Sequence, residues 1–109
     1  MNRTRICYVI MPFAKRYDPT LTEAIQSAIR KVERARDETW QCRRADDLRV
    51  HGSITKEIVT SLHNADLVIA DLTDSNPNVF YELGIVHSAG CPTIMISLAG
   101  EKLPFDIEA

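Results

Sequence analysis

Three short apolar runs and one more polar one, separated by stretches of a different period, organise this 109-residue chain. Residues 6–11 (Ile-Cys-Tyr-Val-Ile-Met) are apolar throughout and stop at Pro12. Such a run has no solvated face, so it predicts a central strand buried on both sides of a sheet. From Leu21 the period lengthens. Leu21, Ile25, Ala28, Ile29, Val32 and Ala35 form the stripe of an amphipathic helix, and Thr20 or Thr22 stands where a cap is expected. Residues 40–45 read as a shorter, more polar strand suited to a sheet edge. A second helix is expected after Gly52-Ser53, with Ile54, Ile58, Leu62 and Ala65 on one face. Residues 66–71 are the next buried strand. Asn76 is a good N-cap, Pro77 fits the first helical position and Gly90 is a good helix stop. Residues 93–98 complete a fourth strand, closed by Ala99-Gly100.

The resulting order β-α-β-α-β-α-β implies a parallel sheet with right-handed crossovers. Placing the polar strand outside the buried first one gives the strand order 2-1-3-4, a flavodoxin-like α/β fold with helices on both faces. Phe105-Asp106-Ile107 reads as the start of a fifth strand in an order 2-1-3-4-5, just before the sequence stops. The expectation is a single domain over residues 1–109, lacking its last strand or forming the front of a longer chain. There are no internal repeats and no low-complexity segments.

Composition narrows the function classes. With 45% hydrophobic and 26% charged residues, the chain is an ordinary folded globular one. A net charge of -2 provides no electrostatic footprint for a nucleic acid polymer. The basic residues between Arg30 and Arg36 are interleaved with Glu33, Asp37 and Glu38, as on a solvated helix face. No apolar run approaches the ~20 residues that span a bilayer, and the N-terminus lacks the pattern of a signal peptide. A cytoplasmic protein without a membrane partner is expected. Cys7, Cys42 and Cys91 are odd in number, far apart and in or beside predicted strands. They are expected to be buried, reduced thiols with no metal. His51, His63 and His87 show no ligand spacing. No dinucleotide or Walker glycine motif is present, and no cofactor is expected.

The chemistry concentrates in residues 67–84, Leu-Val-Ile-Ala-Asp-Leu-Thr-Asp-Ser-Asn-Pro-Asn-Val-Phe-Tyr-Glu-Leu-Gly. In a parallel sheet, ligands bind beyond the carboxyl ends of the strands, at the point where the strand order reverses. Tyr8, Met11, Pro12 and Phe13 would reach that crevice from the first strand. Asp71 and Asp74 would reach it from the third, and Asn78 and Glu82 from the helix that follows. Asn78 and Glu82, four apart, share a helix face. Cleavage of an N-glycosidic bond passes through an oxocarbenium-like sugar, which one carboxylate can stabilise or capture while a second holds a hydroxyl or moves a proton. Each residue also has a plainer role open to it. Asp71 could cap a loop, Glu82 could be a solvated helix residue, Tyr8 could be core, and residues 74–77 make a good turn. Asp46-Asp47 could hold a ribose or simply form a loop. Gly84, in mid-helix, calls for close helix–sheet packing or a backbone that approaches a ligand.

The segment Cys7-Tyr8-Val9-Ile10-Met11-Pro12-Phe13, with Ala70-Asp71 and Phe80-Tyr81-Glu82-Leu83-Gly84-Ile85-Val86-His87, resembles the nucleoside 2-deoxyribosyltransferase family. The deoxynucleotide N-hydrolases and TIR-type NAD-cleaving domains are its relatives. The resemblance spans nearly the whole chain, and Glu82-Leu83-Gly84 is its most specific part. It implies Glu82 as the nucleophile, Asp71 as a binding and protonating group, and Tyr8 as the residue that orients the nucleophile. Transferases carry an aspartate for the sugar hydroxyls where this chain has Asn76, with Asp74 nearby. The family's C-terminal active-site segment, often donated by a neighbouring subunit, has no counterpart before Ala109. The wording of residues 76–84 is most similar to a TIR-like nucleotide-binding branch.

Two functions from different classes follow. The first is an enzyme that cleaves or transfers at the N-glycosidic bond of a nucleoside, nucleotide or NAD-like substrate. Glu82, Asp71 and Tyr8 would be catalytic, and Pro12, Phe13, Asp46, Asp74, Asn76 and Asn78 would bind substrate. The second is a non-catalytic nucleotide-sensing or assembly module of the same fold. A homo-oligomer is expected in either case. A phosphate-accepting receiver domain shares the fold class but would want an acidic pair after the first strand, where Met11-Pro12-Phe13 stands.

Overall fold

The computed structural model describes residues 3–12, 19–45 and 56–97. They form β1 (Arg5–Ile10), α1 (Pro19–Arg36), β2 (Trp40–Arg44), α2 (Lys56–His63), β3 (Leu67–Asp71), a 3-10 turn (Thr73–Ser75), α3 (Pro77–Ser88) and β4 (Thr93–Ile96). The strands make one parallel sheet in the order β2-β1-β3-β4, as the apolar pattern requires. Residues 98–109, where the fifth strand was expected, lie outside the described residues.

β1 is the organising element, because its two faces feed two separate cores. Tyr8 and Ile10 pack with Val68, Ala70, Ile58, Leu62, Val79, Leu83 and Val86 on the side of α2 and α3. Cys7, Val9 and Met11 pack with Ile69, Ile25 and Ile29 on the side of α1. Successive strand residues point to opposite faces, so an unbroken apolar run is what a layer of helices on each side demands. β2, at the edge, carries exposed Gln41 and Arg43, as its polarity predicts.

The helices depart from the periodic reading in detail. Of the α1 stripe only Ile25 and Ile29 are buried, with Leu21 half-buried, while Ala28, Val32 and Ala35 are exposed. The reason is length. An 18-residue helix spans roughly 27 Å against roughly 17–20 Å for a five- or six-residue strand. The helix is therefore longer than the strands can cover, and its buried residues are limited to Ile25 and Ile29. Thr20 and Thr22 both lie within α1 (Pro19–Arg36), and Thr22 Oγ1 accepts a hydrogen bond from Arg44 at 2.8 Å. In α2, Ile58 and Leu62 face the core as expected, Ala65 follows the helix, and Ile54 lies outside the described residues. α3 starts and stops where the sequence says. Asn76 Oδ1 accepts from the N–H groups of Asn78 (2.9 Å) and Val79 (3.3 Å), Pro77 follows, and Gly90 takes a left-handed φ of 70° just past the end.

Gly84 does not do what the sequence suggested by way of packing. It is exposed, and a Cβ built there would meet nothing within 4 Å. Helix–sheet contact is therefore not what keeps it glycine. Gly84→Ala should raise stability by about 0.5–1 kcal/mol, because alanine loses less backbone entropy in a helix. Urea unfolding of the two proteins measures the difference.

At the amino edge Asp66 fastens β1 to β3. Its Oδ2 accepts from the Ile6 N–H (2.8 Å) and from Arg3 (2.9 Å), its Oδ1 pairs with the same guanidinium, and its own N–H donates to Ile6 O (2.9 Å). The Arg3 hydrogen bond, aided by the Ile6 N–H and the charges of Arg3 and Arg5, outweighs burial and holds the carboxyl at about 2. A carboxyl lowered on folding stabilises the native state above its ordinary range, about 3.9. That contribution is lost as the pH falls through the folded value. The urea midpoint of the wild type should therefore drop between pH about 4 and about 2. In Asp66→Asn, which cannot ionise, this part of the acid dependence should vanish. Equal acid profiles for the two proteins would show that the pair is without consequence.

Candidate functional site

Among the described residues, the buried polar and charged side chains are Asp71, Thr73 and Glu82, at 3%, 4% and 4% exposure. All three belong to the β3–α3 unit at the carboxyl edge of the sheet. Carboxylates are rarely buried unless something in the structure compensates. Two of them in one βα unit mark it off from the rest of the core.

The local sequence builds this connection step by step. β3 runs apolar into Asp71, whose Oδ1 accepts the Thr73 N–H at 3.0 Å and so turns the chain. The Leu72 N–H donates to Ile96 O (2.8 Å), which holds the turn onto β4. Asp74 and Ser75 then adopt left-handed φ values of 67° and 49°. That region is sparsely populated by residues other than glycine, although aspartate enters it more readily than most. The reversal brings the Asn76 cap immediately after the strand, so that α3 begins at the edge itself. The sequence shows this stretch only as a polar loop.

Glu82 lies on the inner side of α3 with Val79, Leu83 and Val86, and its Oε2 is shielded from solvent. It is not a solvated helix residue. Tyr8 is 3% exposed and packs in the core cluster that contains Val79, Leu83 and Val86. Tyr8 and Glu82 therefore lie on the same side of the sheet. Asp71 arises differently. Val68 and Ala70 point to the α2/α3 side and Ile69 to the α1 side, so strand alternation starts Asp71 from the α1 side. The two carboxylates thus approach the carboxyl edge from opposite layers.

The remaining predicted residues divide. Pro12 is buried just past the end of β1. Asp74 is exposed on the 3-10 turn, and Asn78 is exposed in the first turn of α3, one turn ahead of Glu82 and outside its buried environment. Asn76 uses its side-chain oxygen to cap α3, a structural duty. Phe13 and Asp46 lie outside the described residues.

The cysteines correct the sequence reading. Cys7 is buried, but Cys42 is exposed and Cys91 only half-buried. Cys7 and Cys42 are also direct register partners across β1 and β2. A signal for this existed: each cysteine is the third residue of its strand, and the two strands run in phase. Cys42 lines a cleft of about 60 Å³ with Val9, Met11, Thr22, Ile25 and Arg44.

Among the described residues no helix is long and apolar enough to cross a membrane. No family model matches the sequence, and no curated protein does. A solved structure does resemble it: a 2-desoxiribosyltransferase from Leishmania mexicana, with a TM-score of 0.55 and 19% identity over 85% of this chain and 64% of that one. The chain thus spans just under two thirds of that enzyme's length. At this identity the likeness is one of fold, and the chain carries a flavodoxin-like α/β sheet similar to that of the transferase.

Proposed function

We propose that this chain cleaves or transfers at the N-glycosidic bond of a nucleoside, nucleotide or NAD-like substrate, with Glu82 as the nucleophile. The observation that carries the proposal is the burial of two carboxylates in one βα unit, Asp71 at the end of β3 and Glu82 within α3. The likeness of fold to a 2-desoxiribosyltransferase supports the same reaction class. A glutamate among apolar side chains is weakly hydrated. Its carboxylate can approach a sugar C1 as positive charge develops there, and either stabilise the oxocarbenium-like centre or close a covalent bond to it. Departure of the base requires a proton or a hydrogen bond at the leaving nitrogen, the role proposed for Asp71. Tyr8, in the same layer as Glu82, would fix the carboxylate's orientation. Water or a second base then accepts the sugar.

One observation favours a non-catalytic nucleotide-binding module instead. Asn76, which stands where transferases place a sugar-binding aspartate, has its side-chain oxygen engaged in capping α3. The readings separate in one assay: incubation of the protein with a panel of nucleosides, nucleotides and NAD, followed by chromatography of released base. Base release from any member supports the enzyme. Binding without release across the panel supports the module.

Glu82→Gln should lower base release at least about a hundredfold, a loss of roughly 3 kcal/mol in transition-state stabilisation, while the melting temperature and ligand affinity stay near those of the wild type. Full activity in that variant would remove Glu82 from the mechanism. Asp71 needs two substitutions. Asp71→Asn retains an oxygen for the Thr73 N–H, so it should fold normally and still lose turnover. Asp71→Ala should lose turnover and, in addition, about 1 kcal/mol of stability with the turn's hydrogen bond. Wild-type turnover in Asp71→Asn would leave Asp71 only its part in the turn.

A further inference from the structure

Cys7 and Cys42 face each other across the β1–β2 ladder on the α1 side of the sheet. Neighbouring strands lie roughly 4.8 Å apart, inside the Cα separation of about 4.4–6.8 Å over which a disulfide can close. Cys7 is fully buried, whereas Cys42 is exposed and open to the cleft between β2 and α1. One sulfur can meet a reagent and the other can only meet its neighbour. We propose that Cys7 and Cys42 form a reversible dithiol–disulfide site, entered at Cys42 by a low-molecular-weight disulfide of the glutathione class.

The electrostatics of the pair give the two sulfurs different duties. The neighbouring Cys7 thiol, with the positive charge of Arg44, outweighs burial and holds Cys42 below the ordinary thiol range. The neighbouring Cys42 sulfur, then burial, then the charge of Cys91 push Cys7 far above it. Cys42 is therefore the attacking thiolate. Its sulfur bonds to one sulfur of the oxidised reagent, the reagent's S–S bond breaks, and one reagent thiolate leaves and takes a proton from water. This step also removes the negative charge on Cys42 that had kept Cys7 protonated. Cys7 then attacks Cys42 Sγ, the mixed disulfide breaks, and the second reagent thiol departs with the proton from Cys7. Two protein thiols are oxidised by two electrons and one reagent disulfide is reduced to two thiols.

The bond so formed is readily reduced. Partner side chains on parallel strands run side by side, at about the strand spacing, whereas the Cβ atoms of a disulfide lie about 3.8 Å apart. Closure therefore draws β2 inward, a movement open to an edge strand with a single ladder. Strained and exposed disulfides are the easily reduced ones. Cys91 is the internal control, because burial and the nearby Asp66 charge raise its thiol above the ordinary range.

The test is a titration of the full chain with mixtures of reduced and oxidised glutathione, quenched in acid and read by intact mass and peptide mapping. The wild type should lose two hydrogen atoms and yield a linked Cys7–Cys42 peptide, reversed by excess reduced glutathione. Cys7→Ala should stop at one glutathione adduct on Cys42, and Cys42→Ser should form neither the adduct nor the link. An unreacted wild type, a link through Cys91, or a wild type that accumulates only the adduct would overturn the proposal. Should Cys7→Ala fail to fold, alkylation of the native wild type by iodoacetamide at neutral pH decides. Cys42 should react at least about tenfold faster than Cys91, and equal rates would overturn the assignment.

Discussion

Everything in this fold depends on β1 having no solvent face. A strand buried on both sides can be satisfied only by a neighbour at each edge and a helical layer above and below. β2 and β3 supply the first and α1, α2 and α3 the second. Because side chains alternate, each layer receives its own set: Tyr8 and Ile10 on one side, Cys7, Val9 and Met11 on the other. A shift of β1 by one residue would exchange the two sets, placing Tyr8 where Cys7 faces Ile25 and Ile29. The register of β1 therefore controls both the layer of the buried glutamate and the layer of the cysteine pair. Asp66, hydrogen-bonded to the Ile6 N–H at the amino edge, is a polar group that fixes that register.

The fold was legible because its signals are local and redundant. The unbroken run at residues 6–11, the polar run at residues 40–45 and the Asn76-Pro77 helix start each follow from chemistry within a few residues of chain. The 2-1-3-4 order needed only the contrast between a strand that is apolar throughout and one that is not. What failed was quantity rather than kind. The α1 stripe is genuine, but the helix outruns the strands beneath it, so Val32 and Ala35 meet water. No local pattern carries the length of a partner element.

The site was legible as composition and opaque as geometry. That Asp71 and Glu82 end up buried follows from their positions in apolar contexts. That Asp71 first serves the Thr73 N–H, and that Asp74 and Ser75 reverse the chain in left-handed conformations, depends on backbone angles that no residue pattern specifies. Asn78 shows the same limit from the other direction. Its spacing from Glu82 is right for a shared face, yet Asn78 remains in solvent while Val79, the next residue, is already buried in the core. Helical spacing gives direction around the axis and is silent on how far each residue is covered.

The two chemistries proposed for this molecule would draw on opposite faces of one strand. One would use a buried carboxylate on α3 and the other a pair of thiols on adjacent strands. Both sit on β1 or against it, but on opposite faces. They are insulated from one another by the strand that positions them. The coupling that remains is mechanical. Val9 and Met11 line the cleft beside Cys42, while Tyr8 and Ile10, their immediate neighbours on the same backbone, pack in the layer of Glu82. Drawing β2 toward β1 would act first on the cleft side, and it could reach the glutamate only by tilting a strand held on its other edge by β3. A close-packed core resists that tilt. The arrangement thus favours a thiol pair that changes state while leaving the buried carboxylate in place.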